Sequence, residues 1–413
     1  MTDQEEGNGN VRVHQMKGAL EGIRVLDLSR ILAGPWATMT LGDLGAEVWK
    51  VEQPGNGDDT RSWSPPSAAG QATYFLGANR NKKSIAVDLS CPDGREIVLQ
   101  LAAKADIVVE NFRPSSLKRL KLTYDDLRAV NPRLIYCSIS GYGRGHRLQD
   151  RPGYDFILQA ECGFMAITGE PQGEPMRLGV AFIDLVTGMN AVQAILAALY
   201  VRERTGCGQQ IDLALFDSGL FFLANVASGY LNTGREPKRF GNAHPSIVPY
   251  QLFDAADGRF ALAVGNDEQY RRLCENVLEK PTLYSDDRFR TNRERVDNRH
   301  ILIPLLQEAI STFGVSELIA KLHLAGVPAG EVRSVSAAFE SEAAVLREVV
   351  VSRPHKLMGE FRSVRSPLRM SGTPTVEPGP PPTIGEHTGE ILSDVLSFSP
   401  SRVAELKSAG VLG

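Results

Sequence analysis

Short apolar runs alternate with helix-like stretches along the first 140 residues of the chain. Five runs have the apolar character of buried strands, at 23–28, 47–52, 85–89, 105–110 and 134–140. Helical patterns lie between them, as at 94–103. This alternation predicts βαβ units and therefore a parallel sheet with helices on both faces, the α/β class. Ligands of such sheets bind beyond the carboxyl ends of the strands.

The pattern changes near residue 231. Glycine and proline then punctuate the chain, at Gly234, Pro237, Gly241, Pro245 and Pro249. A new mixture of strand-like and helix-like runs follows, at 251–253, 259–264, 269–278 and 301–324. We therefore predict a second, smaller α+β domain over residues 232–328.

Three further segments complete the predicted organisation. Residues 18–231 form the N-terminal part of the large domain. Residues 1–17 are polar and acidic and are predicted to form a disordered tail. Residues 329–413 contain a proline-rich linker at 374–382 and a last helix at 386–396.

Composition excludes several functional classes. The net charge is -4 and the pI about 6.0, so no basic field favours nucleic acid or an anionic membrane. We find no apolar run long enough to span a bilayer and no signal or transit peptide, which predicts a cytoplasmic protein without membrane or nucleic-acid partners. The five cysteines show no metal-binding spacing and are predicted to be reduced thiols. No dinucleotide or Walker fingerprint is present, so the predicted nucleotide-fold-like sheet is not expected to bind NAD or ATP.

Asp184 is the candidate catalytic residue. An apolar segment leads into it, and apolar residues follow at helical spacing, at Met189, Val192, Ile195, Leu196 and Leu199. One interpretation is a helix N-cap. The other is a nucleophilic carboxylate at a helix start, where the helix dipole keeps it ionised.

A series of segments, in order along the chain, resembles the family III CoA-transferases. The resemblance extends from Leu20 to about Leu223. The matching segments are 20–27, 33–35, 41–52, 57–61, 79–85, 109–114, 153–155, 159–160, 205–209 and, near the C-terminus, 385–388. The resemblance implies that Asp184 is the covalent nucleophile, forming an acyl anhydride and then an enzyme–CoA thioester. It also implies an interlocked homodimer whose large domain uses both ends of the chain, so that 329–413 returns to it.

Coenzyme A thioester enters such an enzyme as a substrate, and no tightly bound cofactor is expected. By position, the resemblance assigns CoA binding to Leu32, Ala33, Asn111, Phe112, Arg119 and Tyr154, and also to Arg61 and Lys82. Two positions that are basic in formyl-CoA transferase are Gln53 and Ser90 here, so the phosphate contacts are expected to differ. Arg119 as a solvated helix charge and Tyr154 as a packing contact are the structural alternatives.

Two other functions are kept as alternatives. An α-methylacyl-CoA racemase-like enzyme abstracts a proton with a His-Asp pair, but its histidine would fall at Tyr154, whose reference pKa of about 10 makes it a poor base. A non-catalytic CoA-binding protein would tolerate the loss of Asp184. His146 and His244 are isolated and more often structural, and His387 is expected to be structural as well.

The segment 239–250 looks most like the succinyl-CoA:glutarate branch, which predicts a short dicarboxylate as the acceptor. A distal carboxylate requires a cationic or donor-rich clamp, and the candidates are Arg177, Arg239 and His244. The same segment lacks the glycine run of the closing loop in formyl-CoA transferase. Closure by the same loop is therefore not expected.

Overall fold

The computed structural model describes residues 18–413, so the predicted tail at 1–17 lies outside the described residues. The chain divides into two compact units, which we describe separately. The first takes 18–162, Gly179–Ala227 and Glu348–Gly413. The second takes Gly163–Leu178 and Ser228–Arg347. Compared with the predicted 232–328, the second unit extends further at both ends and includes a separate earlier segment.

Strands and helices alternate through the N-terminal part of the chain. The strands are β1 (Arg24–Asp27), β2 (Glu47–Glu52), β3 (Ser67–Ala68), β4 (Gln71–Ala72), β5 (Lys82–Ala86), β6 (Ile107–Glu110), β7 (Ile135–Ser140), β8 (Gln210–Ala214), β9 (Tyr250–Ala255), β10 (Gly258–Ala263), β11 (Ala329–Glu331), β12 (Val350–His355) and β13 (Gly359–Val364). The helices are α1 (Ala33–Asp43), α2 (Thr73–Leu76), α3 (Pro92–Ala102), α4 (Pro114–Leu120), α5 (Tyr124–Val130), α6 (Asp155–Glu161), α7 (Phe164–Ile167), α8 (Phe182–Thr205), α9 (Leu215–Phe222), α10 (Ala224–Thr233), α11 (Asp267–Arg272), α12 (Pro281–Ser285), α13 (Asn292–Asp297), α14 (Arg299–Ile310), α15 (Val315–Leu324), α16 (Val335–Phe339), α17 (Glu342–Leu346), α18 (Thr388–Asp394) and α19 (Pro400–Ser408).

The first unit is built on a six-stranded sheet in the order β5-β2-β1-β6-β7-β8, with every neighbouring pair parallel. This confirms the predicted α/β class and the parallel sheet. Counted along the chain, the strand order is that of a doubly wound nucleotide fold. The order reverses between β1 and β6, so the loops that follow these two strands diverge and leave a crevice at the carboxyl edge.

The C-terminal segment packs back onto the first unit. Ile391, Leu392 and Leu406 belong to the same buried apolar cluster as the sheet residues Trp49 and Ile85. Backbone and side-chain hydrogen bonds from 387–388 reach strand β5. The C-terminal segment therefore contributes to the same core as the sheet residues of the N-terminal part of the chain.

The second unit has its own core. Strands β9, β10 and β11 form an antiparallel sheet in the order β11-β10-β9. Phe253, Phe260 and Tyr270 are fully buried against the helices that follow. The predicted helix over 301–324 is two helices, α14 and α15, which are separated by residues 311–314.

Helix α8 corrects one prediction. It has 24 residues and a mean hydropathy of 1.6 over its most apolar window, so by length and composition it could cross a membrane. The statement that no apolar run of this length exists is therefore wrong. However, 44% of that window is buried within the protein, and Arg202 near its end pairs with Asp106 at 3.0 Å. We interpret α8 as a core helix of the first unit, a class of helix that passes the same test.

Candidate active site

The main cavity lies at the point where the strand order reverses. It has a volume of about 390 Å³ and is lined by the loops after β1, β6 and β7 and by the starts of α6 and α8. Six of the predicted site residues line it together: Leu32, Ala33, Asn111, Phe112, Tyr154 and Asp184. These residues are far apart in sequence, and the carboxyl edge of the sheet brings them together.

Asp184 is the third residue of α8, inside the first turn. The N-cap position belongs to Ala181, whose side chain offers no acceptor, so the N-cap interpretation of Asp184 is wrong. The acceptor comes from another helix: Oδ1 of Asp155 accepts the backbone N–H groups of Ile183 at 2.7 Å and of Asp184 at 3.4 Å. The Nε2 of Gln159 donates to Oδ2 of Asp155 at 2.7 Å. Asp155 therefore fixes the start of α8 and the backbone of Asp184.

The electrostatics of Asp184 differ from the sequence prediction. Burial, and then the negative charge of Asp155, raise the pKa of Asp184 to about 7. We expected the helix dipole to keep this carboxylate ionised, but desolvation outweighs that effect in the ligand-free site. Burial and the charges of Asp184 and Asp155 also raise the pKa of Tyr74 to about 12, so this phenol stays neutral at physiological pH.

Close packing seats α8 against the cavity. A Cβ on Gly188 would lie 2.7 Å from the carbonyl oxygen of Ala33, so a larger residue would push the helix away from the loop after β1. The turns at Gly141 and Gly153 meet in the same way, because a Cβ on either would approach the other's Cα within 2.8 Å. Two cavity walls thus depend on glycine.

The loop after β1 holds an unusual backbone conformation. Ile31 has φ 74°, which is rare for a β-branched residue and costs conformational energy. Its N–H points at the carboxylate of Asp58, with both oxygens at 3.3 Å, and Asp58 is itself paired with buried Lys50 at 2.9 Å. The buried pair therefore supports the strained residue that leads into Leu32.

Asn111 ties two cavity loops together. Its Oδ1 accepts the backbone N–H of Arg30 at 3.0 Å, and its Nδ2 donates to the carbonyl of Arg30 at 2.7 Å. The guanidinium of Arg30 lies over the ring of Phe112 at 5.7 Å. Asn111 thus lines the cavity as a structural link, with its amide already engaged.

A second cavity of about 270 Å³ adjoins the first, because both are lined by Arg30, Phe112 and Ser116. Arg119 lines this second cavity from the last turn of α4. This cavity is also lined by Gln53 and Ser90, the two positions that are basic in formyl-CoA transferase. Arg119 and Arg30 supply cationic groups that a phosphate site requires, although Arg30 also pairs with Asp59 at 3.0 Å and the carboxylates Glu52 and Asp58 line the same cavity.

The structure places Arg61 and Lys82 differently from the prediction. Neither lines the two cavities among the described residues. The side chain of Lys82 is fully buried, and its three donors are used by Asp27, the carbonyl of Pro35 and Asn79. Burial lowers its pKa to about 8. No donor remains for a phosphate, so the assignment of Lys82 to CoA binding is corrected to a structural role.

Arg61 is likewise engaged. Its guanidinium forms a two-point ion pair with Glu52, at 2.7 and 2.6 Å, and stacks 3.6 Å from the ring centroid of Phe75. A third bond reaches the carbonyl of Pro382. The assignment of Arg61 to CoA binding is therefore corrected to a structural role, in which Arg61 joins the C-terminal segment to the sheet.

Other predicted residues have defined contacts. Tyr154 is 57% exposed and precedes α6, where it faces the main cavity. Both ring nitrogens of His146 have backbone partners, Tyr142 and Leu148, and Nδ1 of His387 accepts the N–H of Ser84. These contacts agree with structural histidines.

Two residues near Asp184 did not enter the predicted site. Asp155 stood in a recognised segment next to Tyr154, but nothing in the sequence shows that it would reach the start of α8. Tyr74 lies on the short helix α2 and packs edge-on against Trp63, with ring centroids 5.1 Å apart. Its position 110 residues before Asp184 left no local signal.

Comparison with known proteins identifies the family. Residues 20–388 match the family described as CoA-transferase family III. A Mus musculus protein named succinyl-CoA:glutarate CoA-transferase is 45% identical over 394 residues, which cover 95% of this chain and 90% of the relative. An Agrobacterium fabrum protein named succinate–glutarate CoA-transferase is 43% identical over 385 residues, covering 92% and 96%.

A solved structure agrees. The crystal structure of a CAIB/BAIF family protein from Brucella suis superposes with a TM-score of 0.82 at 43% identity, covering 92% of this chain and 100% of that chain. The residues that match the family include the six-stranded sheet, the lining of both cavities and Asp184. The chain belongs to CoA-transferase family III, and it is an enzyme.

Proposed function

We propose that this enzyme transfers CoA from succinyl-CoA to glutarate or a similar short dicarboxylate, with Asp184 as the covalent nucleophile. The observation that supports this mechanism is the position of Asp184. Its side chain lines the main cavity, and Asp155 accepts the backbone N–H groups at this start of α8. The names of the two relatives support the choice of substrates.

The first half-reaction forms two covalent intermediates in turn. The Asp184 carboxylate attacks the thioester carbonyl of succinyl-CoA. The C–S bond breaks, CoA leaves as a thiolate, and a succinyl–aspartyl anhydride is formed. The thiolate then attacks the aspartyl carbonyl of the anhydride. Succinate departs as a carboxylate, and the enzyme carries an aspartyl–CoA thioester.

The second half-reaction reverses these steps with the acceptor. A glutarate carboxylate attacks the aspartyl thioester and expels CoA thiolate, which gives a glutaryl–aspartyl anhydride. The thiolate attacks the glutaryl carbonyl, so that glutaryl-CoA leaves and the Asp184 carboxylate is restored. The energy of the thioester is retained throughout, provided that water is excluded from the anhydrides.

The two adjoining cavities suit the two ends of a CoA thioester. Phe112 lies between them, the cationic residues Arg30 and Arg119 line the second cavity, and Asp184 lines the first. In the proposal, the phosphates bind in the second cavity and the thioester reaches Asp184 past Phe112.

A direct assay tests the proposal. The protein is incubated with succinyl-CoA and a panel of carboxylic acids, and acyl-CoA products are separated by liquid chromatography with mass detection. We expect glutaryl-CoA and equimolar succinate, with little free CoA. Release of free CoA without glutaryl-CoA would show a hydrolase, and epimerisation of a 2-methylacyl-CoA without transfer would favour the racemase alternative.

The acceptor preference gives a second prediction. A buried distal carboxylate must be paired, so replacing its clamp should raise the KM for glutarate by about 30-fold, or ~2 kcal/mol, while the KM for valerate changes little. Arg177 is exposed and donates one hydrogen bond, at 3.2 Å, to the carbonyl of the adjacent Leu178. The guanidinium of Arg239 binds the carbonyls of both Glu170 and Gly173, and Nδ1 of His244 accepts the N–H of Ser246. Arg177→Ala is therefore the leading variant.

Arg239→Ala and His244→Ala are the matched comparisons. Steady-state kinetics with both acceptors give the glutarate-to-valerate ratio for each variant. If the wild type uses valerate as well as glutarate, or if none of the three variants changes the ratio, the clamp hypothesis is wrong. The acceptor would then be an unspecified carboxylic acid.

We also propose that the enzyme works as an interlocked homodimer. Helices α8 and α9 of the first unit expose large apolar side chains, including Met189 at 49%, Tyr200 at 62% and Phe221 at 76%. Helix α10 is apolar in part and has no buried residue. Exposed apolar surface of this extent is typical of a subunit interface, and a second copy of the chain is the partner that the family resemblance implies.

An interlocked dimer should not exchange subunits without unfolding. We expect that tagged and untagged protein, mixed overnight under native conditions, yield no mixed dimer on affinity capture. Refolding the same mixture from denaturant should yield mixed dimers and serves as the positive control. Rapid exchange in native buffer, or a monomer by light scattering, would contradict the proposal.

A further inference from the structure

A buried ion pair joins the end of strand β6 to the turn after β7. Glu110 is the last residue of β6, and its side chain is fully buried. Arg144 lies in the turn after β7, with 16% of its side chain exposed, and its Nη2 donates to Oε1 of Glu110 at 2.7 Å. Burial raises the pKa of Glu110, partly opposed by the charge of Arg144. Because such pairs often contribute little net stability, a positioning role is worth testing.

The pair holds both backbone polar groups of Phe112. The N–H of Phe112 donates to Oε2 of Glu110 at 2.8 Å. The Nη2 of Arg144 also reaches the carbonyl oxygen of Phe112, at 3.4 Å. Phe112 is one of three residues that line both cavities, so a shift of its backbone would change both of them.

We infer that Glu110 and Arg144 are positioning residues for the acyl-CoA substrate, because they fix Phe112 between the two cavities. The inference rests on the proposed function, in which the substrate passes Phe112 on its way to Asp184. It predicts a defect in the use of the CoA thioester that is separable from any loss of stability. The carboxylic acceptor should be affected less.

The chain offers a matched control on the same strand. Asp106 directly precedes β6 and pairs with Arg202 at 3.0 Å, and the side chain of Arg202 is 3% exposed. This pair lies at the opposite edge of the sheet from the cavities. Arg202→Met should therefore lower the Tm without changing the KM for succinyl-CoA.

A double-mutant cycle separates positioning from stability. The variants are Glu110→Met, Arg144→Met and the double variant, measured for Tm and for the KM of succinyl-CoA and of glutarate. Arg144→Met leaves a buried charge unpaired and should have the lowest Tm, which the double variant partly restores. The KM for succinyl-CoA should rise about 10-fold in all three, including the double, since none holds both groups of Phe112.

The inference would be overturned if the KM for succinyl-CoA returned towards the wild-type value in the double variant together with the Tm. An equal rise of this KM in Arg202→Met would also overturn it. If Arg144→Met does not fold, Arg144→Lys replaces it, because it keeps the charge but loses the planar guanidinium. If the wild type does not transfer CoA to glutarate, the proposed function fails by itself. The same variants then test the inference through the Kd of free CoA by calorimetry, where an unchanged Kd would refute it.

Discussion

Asp184→Ala is expected to reduce the rate of CoA transfer by about 10⁴-fold or more, because it removes the atom that carries both covalent intermediates. No other carboxylate among the described lining residues of the main cavity can replace it. Binding of CoA should persist, since the contacts in the second cavity remain. Initial rates of glutaryl-CoA formation and calorimetric titration with CoA measure the two effects separately.

Asp217 supplies a matched control. It is also the third residue of a helix, α9, but its side chain is exposed and lies outside the main cavity. Asp217→Ala should therefore retain wild-type activity within about 2-fold, because Asp217 lines neither cavity; light scattering should show an unchanged assembly, since Phe221 on the same helix face belongs to the proposed interface. Full activity in Asp184→Ala would refute the assignment of the nucleophile.

Trapping locates the intermediate. After incubation with succinyl-CoA, hydroxylamine should convert the aspartyl anhydride or thioester to a hydroxamate on the peptide that contains Asp184. Borohydride should reduce the thioester at the same position. An adduct on a different peptide would assign the chemistry elsewhere, even if Asp184→Ala were inactive.

The periodic parts of the fold could be predicted from the sequence. The central strands are buried on both faces, so each reads as a short apolar run, and their alternation with helices indicates a parallel sheet. Strand β8 lacks that signal because it lies at the edge of the sheet and alternates exposed with partly buried residues. Half of the residues in the hairpin of β12 and β13 are exposed, so the hairpin lacks the apolar signal as well.

The site could be predicted only in part. Loops that follow neighbouring strands converge at one edge of the sheet, which explains why Leu32, Asn111 and Asp184 line one cavity. The convergence of the loops does not predict the direction in which each side chain points. Lys82 belongs to a recognised segment, yet its ammonium points into the protein, where Asp27, Pro35 and Asn79 take its three donors.

The contribution of Asp155 depends on a contact between two helices, which no local pattern reveals. Asp155 affects Asp184 in two ways. Its Oδ1 accepts the N–H groups that begin α8, which is a geometric effect, and its negative charge raises the pKa of Asp184, which is an electrostatic effect. Two substitutions at this one position can separate them.

Asp155→Ala should lower kcat/KM at pH 8, where Asp184 is largely ionised, by about 100-fold, because the start of α8 loses its acceptor and a displacement of ~1 Å at a nucleophile is enough for such a loss. Asp155→Asn keeps an oxygen that can accept the N–H of Ile183, and Gln159 can turn its amide to meet the new donor. This variant should retain activity at pH 8 within about 10-fold.

The pH profile of Asp155→Asn carries the electrostatic test. In the wild type, the reactive form of Asp184 is the carboxylate, so kcat/KM for succinyl-CoA should fall as the pH decreases through about 7. Tyr74 stays neutral over this range, because its pKa is about 12. Removing the charge of Asp155 lowers the pKa of Asp184, so the profile of Asp155→Asn should move to lower pH, and its relative activity at pH 6 should exceed that of the wild type. Asp217→Asn removes a charge that is not among the causes of the raised pKa of Asp184 and should leave the profile in place. An unshifted profile in Asp155→Asn, or a shift of equal size in Asp217→Asn, would show that Asp155 does not act on Asp184 through its charge.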